Sequence, residues 1–308
     1  INQFDYSKVR NPGYEPARRL TNREYNNTVE DLFGIKGTFS SGFPQDLSGS
    51  SGFDNSANTL FTTSLLLERY IGAADMVLQA ALPGQPGNPE EKKRLDAFFA
   101  VRPGPGISEQ KAARKVLEPF LFRAYRRPPD PLELEEALER FSLFRSQGRD
   151  FEDAAREVVR VALISPKFLI KTEKRQPGER EYEVDSWGLA SRLSYFLWAS
   201  MPDDELFALA RKGSLSDPRV LEEQVARMLR DPRAGSLGHI FAAQWLGYEI
   251  LGTRVRLDPI DNPWCTDTLM EAMRNETSMF FSELIRRNRP VIELIDADFT
   301  YLNEELAR

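Results

Sequence analysis

Apolar residues recur at intervals of three and four along most of the chain, a pattern typical of amphipathic helices. The clearest case is residues 20–34, "LTNREYNNTVEDLFG", in which Thr21 and Glu24 have the spacing of a capping box. Gly34 follows the last apolar position and supplies a stop signal. Residues 60–82 repeat the apolar spacing after an intervening loop. The N-terminal part of the chain is therefore predicted to contain two helices.

Eight further amphipathic segments follow, and several of them begin with an aspartate before a proline. Asp130, Asp217 and Asp231 each precede a proline, a combination that favours an N-cap and a first helical position. Alternating β-branched runs are few, and neither an Asn-Gly hairpin turn nor a strand followed by a nucleotide-binding glycine motif occurs. The pattern predicts an all-α, multi-helix protein of two to three packed helical modules. The further helices are expected at residues 108–127, 130–148, 150–170, 185–200, 203–213, 217–230, 231–247 and 265–288.

Stretches rich in proline and glycine divide the helical pattern. Residues 83–106 contain "PGQPGNPEEKK" and "VRPGPG" and are predicted to form a surface linker. A second polar break, "KRQPGER", comes before the last group of helices. We therefore expect an N-terminal helical module at residues 1–82, a second module at 107–176 and a third at 182–308.

Composition and charge limit the partners of such a protein. Hydrophobic residues make up 41% of the 308 positions and charged residues 29%, which is enough for a folded core. The net charge is −6 and basic residues lie among acidic ones, so a nucleic-acid partner is not expected. No apolar run of 18 residues occurs, which predicts no transmembrane segment. The single cysteine excludes an internal disulfide and a CxxCH haem-attachment site within this sequence.

The loop of residues 43–61, "FPQDLSGSSGFDNSANTLF", is rich in side-chain oxygens and raises the possibility of a cation site. An EF-hand register that starts at Asp46 places Ser51 where glycine is needed. The same register places Ala57 where a bidentate glutamate is needed. The EF-hand interpretation is therefore excluded, and a different cation cage stays open.

Three residues of this loop are the candidate ligands of that cation, with calcium as the ion considered. They are Asp46, Asp54 and Asn55, and Asp46 is expected to be the group most available to a cation. The favoured alternative is that Asp54 or Asn55 caps the following helix while the glycines permit the turn. Phe53 is expected to pack back into the core.

The single histidine and the single cysteine are the next candidates for chemistry. A catalytic triad or a multi-histidine metal site has to be built around His239. Because it lies close to Phe241 and Trp245 in a helical pattern, a half-buried helix histidine is the favoured interpretation. The alternative is an axial contact to a haem that another segment carries. Cys265 follows Trp264 and is interpreted as an ordinary residue at a helix start.

Acidic residues cluster in "PDDELF" and "IDADF". Glycoside hydrolysis needs two carboxylates in different environments, and the sequence does not place such a pair across a cleft. Asp203 and Asp204 are explained equally well as acids in the first turn of a helix. Catalytic residues therefore stay unassigned. The acids considered are Asp203, Asp204, Glu205, Asp296 and Asp298.

Aromatic residues cluster in "SYFLWAS", "AAQWLGY" and "SMFFSEL". Such clusters could line a cofactor or sugar pocket. Their helical spacing is also what a core requires, and a core is the favoured interpretation.

Taken together, several of these stretches resemble a known set of domains. The N-terminal part, with "RRLTNREYNNTVEDLFG", "FPQDLSGSSGFDN" and "LLLERYIGAA", resembles the first of the planctomycete-type domains of unknown function that accompany c-type cytochromes. "FLFRAYRRPPDPLELEEAL" and "ALISPKFLIKTE" resemble the second domain. "RLSYFLWASMPDDELFALA", "QWLG" and "ETSMFFSELI" with "DADFTYLNEELAR" resemble the third. The resemblance covers nearly the whole chain.

The resemblance implies an exported protein of the periplasm or cell surface, in which further C-terminal modules carry the haem-attachment motif. The present sequence contains the helical modules without that motif, so no cofactor is expected in this chain itself. A c-type haem is expected on another segment or on a partner. Because the sequence starts at Ile1 without a methionine or a secretory signal and stops after Arg308, a processed product is expected.

Three functions follow as hypotheses. The first is a helical, non-haem scaffold that positions or docks a haem-bearing module or cytochrome subunit, with a membrane electron-transfer complex as a further partner. The second is an extracellular enzyme that acts on a polysaccharide with paired carboxylates. The third is a protein–protein interaction module without a small-molecule site. Whether this chain is an enzyme stays open, and a non-catalytic chain is favoured.

Overall fold

The protein is described by a computed structural model that covers residues 16–173, 182–258 and 260–307, and it is 63% helical. This architecture confirms the all-α prediction. The described part of the chain contains fourteen α-helices and one antiparallel pair of short strands. In chain order these are β1 (Arg18–Arg19), α1 (Asn22–Phe33), α2 (Ser64–Ala81), α3 (Pro89–Phe98), α4 (Glu109–Tyr125), α5 (Pro131–Ser146), α6 (Phe151–Leu163), α7 (Pro166–Leu169), β2 (Ile170–Lys171), α8 (Ser186–Trp198), α9 (Asp204–Lys212), α10 (Pro218–Arg230), α11 (Ala243–Leu246), α12 (Asp267–Arg286), α13 (Glu293–Asp296) and α14 (Glu304–Ala307).

Local capping signals determine where several helices begin and end. At the start of α1 the Thr21 hydroxyl accepts a hydrogen bond from the Glu24 amide (3.1 Å), and the Glu24 carboxylate accepts one from the Thr21 amide (2.9 Å). This geometry is the predicted capping box. The helix ends at Gly34, whose φ of 66° lies in the left-handed region that glycine adopts without strain. Asp130 and Glu133 form the same kind of box at the start of α5.

The cap of α2 differs from the prediction. This helix begins at Ser64, and the Thr63 hydroxyl accepts a hydrogen bond from the Leu66 amide (3.2 Å). Asp54 and Asn55 lie well before this point, so the expectation that either residue caps the helix is wrong. Asp54 and Asn55 instead make hydrogen bonds to other parts of the chain, the Asp54 amide to Gln244 and the Asn55 carbonyl to Arg18.

The first two predicted modules share one hydrophobic core, to which Tyr195, Met201 and Phe207 of the third module also contribute. It contains Tyr25 of α1, Phe120 of α4 and Phe168 of α7 in a single cluster of buried side chains. Residues 83–106, predicted as a surface linker, contain α3 and contribute Phe99, which is 0% exposed. The apolar end of this segment is therefore part of the core, where Phe98 contacts Phe120 of α4 and Phe99 contacts Phe151 of α6.

The third predicted module also has a smaller hydrophobic cluster of its own. Its buried side chains are Ala190, Leu197, Trp198, Leu206, Ala210, Leu215, Met228, Ala234 and Leu237.

Strand β1 pairs antiparallel with β2, and this pairing joins the start of the first module to the end of the second. The polar break "KRQPGER" between the second and third modules lies outside the described residues.

Helix α1 makes several of the polar contacts between the first and third modules. The Asn27 amide group donates to the carbonyl of Ala199 (3.1 Å), and the Ser200 hydroxyl donates to the Asp31 carboxylate (2.6 Å). The same carboxylate lies 3.5 Å from the Arg233 guanidinium. These polar contacts fix the third module against one face of α1.

We predict that Phe99→Ala lowers the free energy of unfolding of the whole chain by about 3 to 5 kcal/mol, because it leaves a cavity in the shared core. Lys93→Ala, at an exposed position of α3, is the matched control and is expected to change little. Urea unfolding followed by circular dichroism measures both values. A cost for Phe99→Ala below about 1 kcal/mol would show that this segment is only a linker.

Candidate functional site

The loop of residues 43–61 is fixed near its start by Asp46. One carboxylate oxygen of Asp46 accepts a hydrogen bond from Arg19 (2.8 Å), and the other accepts one from the Asn22 amide (2.6 Å). Burial raises the pKa of Asp46, although both donors oppose this effect. The expectation that Asp46 is the group most available to a cation is therefore wrong. Its carboxylate instead holds the loop against the start of α1.

The tip of the loop reaches the third module. The Phe53 ring stacks on Phe241, with ring centroids 5.6 Å apart and an interplanar angle of 10°. The Asp54 amide donates to the side-chain oxygen of Gln244 (3.2 Å). Phe53 is thus half-buried against the third module, and the prediction that it packs back into the core is corrected. The loop therefore connects two modules.

The cation site predicted at Asp46, Asp54 and Asn55 stays a prediction. The Asn55 carbonyl accepts a hydrogen bond from the Arg18 guanidinium (3.0 Å), so this residue also contributes backbone to the loop contacts. Within residues 16–173, 182–258 and 260–307, no group of three or more His, Cys, Asp and Glu side chains could hold a metal ion. Among the same residues, no helix combines the length and apolar character needed to cross a bilayer.

The element that receives the loop is a π-helical segment, Leu237–Ala242, which continues into α11. Its close approach to α12 requires Gly238, since a Cβ atom there would lie 2.5 Å from the carbonyl oxygen of Ser278. The Tyr248 hydroxyl donates to the Gly238 carbonyl (2.5 Å) and holds the wide turn. Sequence periodicity predicted one regular helix at residues 231–247. The structure instead has a π turn, which contains one more residue than an α-helical turn. The side chains that follow are therefore out of the register that the periodicity predicted.

His239 lies on this π-helical segment and is exposed. Its Nδ1 atom lies 2.8 Å from the Ser278 hydroxyl. The expectation of a half-buried histidine is therefore wrong. A hydrogen bond at one ring nitrogen fixes the orientation of the other, which is how proteins prepare histidine ligands. The haem contact at His239 stays a prediction.

Three aromatic side chains form a continuous stack at the π-helical segment. We call Phe53, Phe241 and Trp245 the aromatic row. Phe241 and Trp245 have ring centroids 5.9 Å apart at an interplanar angle of 26°. The Phe281 ring of α12 lies 6.1 Å from Phe241 and 6.2 Å from Trp245 and supports both. Phe241 is 38% exposed, Trp245 50% and the adjacent Leu246 46%, so the row presents an apolar surface to solvent.

The acids of "PDDELF" stabilise helix α9 and its contacts. The Asp203 carboxylate accepts a hydrogen bond from the Leu206 amide (3.0 Å) and lies 2.7 Å from the Arg227 guanidinium. Asp204 forms an ion pair with Arg123 of α4. Both acids lie at the start of the helix as predicted, with Asp203 as the N-cap and Asp204 in the first turn. Glu205 accepts a hydrogen bond from Gln224 (2.8 Å).

The remaining candidates are not brought together. Cys265 is partly buried and precedes Thr266, the N-cap of α12. Asp296 and Asp298 are both exposed. The structure therefore brings the loop of residues 43–61 next to the π-helical segment that carries His239. Cys265, Asp296 and Asp298 are not part of this contact.

A cavity of about 420 Å³ lies where the three modules meet. It is lined by β1, by the C-terminal end of α4, by β2 and by the first turns of α8. Sequence reasoning did not single out its residues. The signal that was available is a basic residue placed directly after a buried apolar run, as in "FLIK" and "FLFRAYR". The lining side chains that matter for the chemistry are Arg18, Arg126, Lys171, Trp187 and Tyr195.

Lys171 is the most strongly perturbed lysine of this cavity. Its ammonium group forms an ion pair with the buried Glu24 carboxylate and lies 4.7 Å from the centroid of the Tyr195 ring. Desolvation lowers its pKa to about 8, and the charges of Arg18 and Arg126 act in the same direction. Glu24 opposes this shift by favouring the ammonium form. The side chain is thus close to losing its proton at mildly alkaline pH.

Arg126 is the second buried cation, with 4% of its surface exposed. Its backbone φ of 60° is uncommon for a residue with a side chain, and it ends α4. The guanidinium donates to the carbonyls of Phe168 (3.0 Å), Ile170 (3.1 Å) and Lys167 (3.2 Å). Its place at the C-terminal end of α4 is favourable for a positive charge. The side chain additionally ties α4 to β2.

We predict that Lys171 makes stability depend on pH between about 8 and 10.5. Because the folded-state pKa is lower than the unfolded one, the unfolded chain binds more protons in this window, and the free energy of unfolding rises with pH. Relative to Lys171→Gln, the wild-type gain across the window is on the order of 3 kcal/mol. Lys93→Gln is the control with an exposed lysine. Denaturant titrations at pH 7.5, 9 and 10 would contradict the shift if the two curves stayed parallel.

Comparison with family models places three matches along the chain. Residues 18–83 match PSD3, a protein of unknown function (DUF1587), and residues 112–173 match PSD5, a protein of unknown function (DUF1595). Residues 184–308 match PSD4, a protein of unknown function (DUF1592). No curated protein and no solved structure matches the chain.

Each matched range overlaps one of the three predicted modules, and the order along the chain is the same. These families are found in planctomycete proteins associated with c-type cytochromes. Three segments of the chain thus match the PSD3, PSD5 and PSD4 family models in series, and these families are described as having no known function.

Proposed function

We propose that this chain is the helical, non-haem scaffold of an exported c-type-cytochrome-associated protein, and that the aromatic row docks a haem-bearing module or cytochrome subunit. The observation that carries the proposal is the row itself. It is a supported apolar stack that stays exposed in a chain whose other aromatic residues mostly pack inside. Contiguous exposed apolar patches on folded proteins commonly mark interaction sites.

The row has the features of an interface centre. Trp245 is a residue type that is enriched among the positions that dominate binding energy. Phe281 supports the exposed rings from below, so little side-chain freedom is lost when a partner covers them. Small interfaces with an apolar centre suit transient electron-transfer contacts, which bury less area than stable complexes. A compact row of this kind is therefore adequate for a haem-bearing partner.

The choice of a haem-bearing partner is supported by the domain series, because these families occur in cytochrome-associated proteins. The exposed His239, held by Ser278, lies on the same segment as Phe241 and would be a neighbour of the docked module. Periplasmic or cell-surface location and contact with a membrane electron-transfer complex belong to the same proposal. Apolar rings also stack on sugars, so a polysaccharide is the competing ligand for the row.

We predict that Trp245→Ala weakens binding of a c-type cytochrome domain about tenfold or more, which corresponds to about 1.4 kcal/mol. The domain is taken from a protein that carries the same three-domain series, and the full chain is titrated with it by calorimetry. Phe241→Ala is expected to act in the same direction. Phe196→Ala is the matched control, since this ring is 66% exposed on α8 and is not part of the row.

Equal affinities for wild type, Trp245→Ala and Phe196→Ala would contradict docking at the row. A polysaccharide that binds the wild type and loses affinity with Trp245→Ala, while the cytochrome domain does not bind, would overturn the haem-docking proposal in favour of a sugar-binding surface. Circular dichroism of each variant shows whether the helical fold is retained.

A further inference from the structure

Among the described residues, those that line the cavity at the meeting point of the three modules carry more positive than negative charge. Lys171 is paired with Glu24, but no carboxylate among the described residues lies within ion-pair distance of Arg18 or Arg126. The bonds of Arg126 go to carbonyl groups and to the Tyr195 hydroxyl, which carry no negative charge. A guanidinium with 4% exposure and no carboxylate within ion-pair distance in the described part of the chain is costly, and an anion beside it lowers that cost.

The carboxylates that line the cavity are already engaged. Glu173 accepts a hydrogen bond from Arg192 (2.8 Å), so these two charges offset each other. Asp185 caps α8 and accepts a hydrogen bond from the Gly188 amide (2.7 Å). Asp185 keeps its negative charge, but neither acid lies within ion-pair distance of Arg18 or Arg126, so the described lining residues keep an excess of positive charge.

The walls of the cavity are aromatic. Tyr125, Tyr182, Trp187 and Tyr195 line it, and Trp187 is supported edge-on by the Phe122 ring at a centroid distance of 5.5 Å. Flat aromatic walls favour ligands that present a ring face. The volume of about 420 Å³ lies within the range of small-molecule pockets, about 300 to 1,000 Å³.

We propose that this cavity binds a small organic acid whose carboxylate is carried on a ring. The carboxylate lies against Arg18 and Lys171, and the ring contacts the aromatic walls. To the described residues the Arg18 guanidinium donates one hydrogen bond, from Nη1 to Asn55, and its other donors can face a ligand. The Lys171 ammonium has three protons, of which Glu24 accepts one. Arg126 acts from behind these two groups through its charge. The site is separate from the aromatic row and does not rest on the docking proposal.

The test is a titration of the full chain with 4-fluorobenzoate, followed by fluorine NMR, against the uncharged and nearly isosteric 4-fluorobenzamide. We expect a saturable shift for the benzoate at concentrations of about 1 mM or below, and affinity at least about tenfold weaker for the benzamide. Arg18→Gln and Lys171→Gln are each expected to weaken benzoate binding about fivefold or more, because each removes a charge from the carboxylate.

Two further variants are matched controls. Arg18→Lys keeps the charge at a partly exposed strand position and is expected to restore most of the affinity. Arg114→Gln removes a positive charge from an exposed position of α4 that does not line the cavity, and it is expected to bind like wild type. Because Arg18 is only partly buried, its variants are expected to fold. They therefore test the proposal even if Lys171→Gln does not fold.

Competition with glucuronate distinguishes the ring that the site accepts. Displacement of the benzoate assigns a pyranose acid, and failure to displace it assigns a flat aromatic acid. Equal affinities for benzoate and benzamide, unchanged binding by Arg18→Gln, or the lack of a saturable benzoate shift up to about 20 mM would each overturn the proposal.

Discussion

The buried carboxylate of Glu24 is the interaction on which the arrangement of the three modules depends. One of its oxygens caps α1 through the Thr21 amide, and the other accepts a hydrogen bond from Lys171 of β2. Lys171 in turn lies over the ring of Tyr195 in α8. One short chain of contacts thus connects the first, second and third modules. Removing the Glu24 carboxylate would leave the Lys171 ammonium buried without its counter-charge, which is strongly destabilising.

The cavity and the aromatic row both depend on how the three modules are packed together. The cavity exists because β1, β2 and α8 meet around the Glu24–Lys171 pair. The aromatic row forms because the third module packs close to α1, so that Phe53 at the tip of the loop contacts Phe241. The Asp46–Arg19 pair fixes the base of the same loop, so its tip projects toward the π-helical segment. A loop that could be mistaken for a cation cage is in this way a connection between modules.

The parts of the fold that sequence predicts well are those that local chemistry determines. The capping box of Thr21 and Glu24 and the helix start at Asp130 depend on residues within one turn, and both are found as predicted. The burial of Phe99 depends on residues far along the chain, so a segment rich in proline and glycine was interpreted as a linker. Composition describes the solvent-facing part of such a segment, whereas packing is decided by the helices that it meets.

The candidate sites were predictable only in part, for the same physical reason. Sequence identified the 43–61 loop and His239 as unusual, but not that the tip of the loop docks beside the π-helical segment. Asp46 was taken as free because its partner Arg19 is 27 positions away. Lys171 was not singled out, because its environment is built by residues of three different modules. The π turn at Gly238 depends on close contact with α12, which periodicity alone does not reveal.

The scaffold proposal is tested most directly by the absorption spectrum of the natively purified protein, combined with the intact mass of every polypeptide in the preparation. It predicts a c-type haem spectrum, together with a haem-bearing polypeptide or segment that accounts for mass beyond the 35.2 kDa of this chain. A preparation that contains only this chain and shows no haem absorption would contradict it.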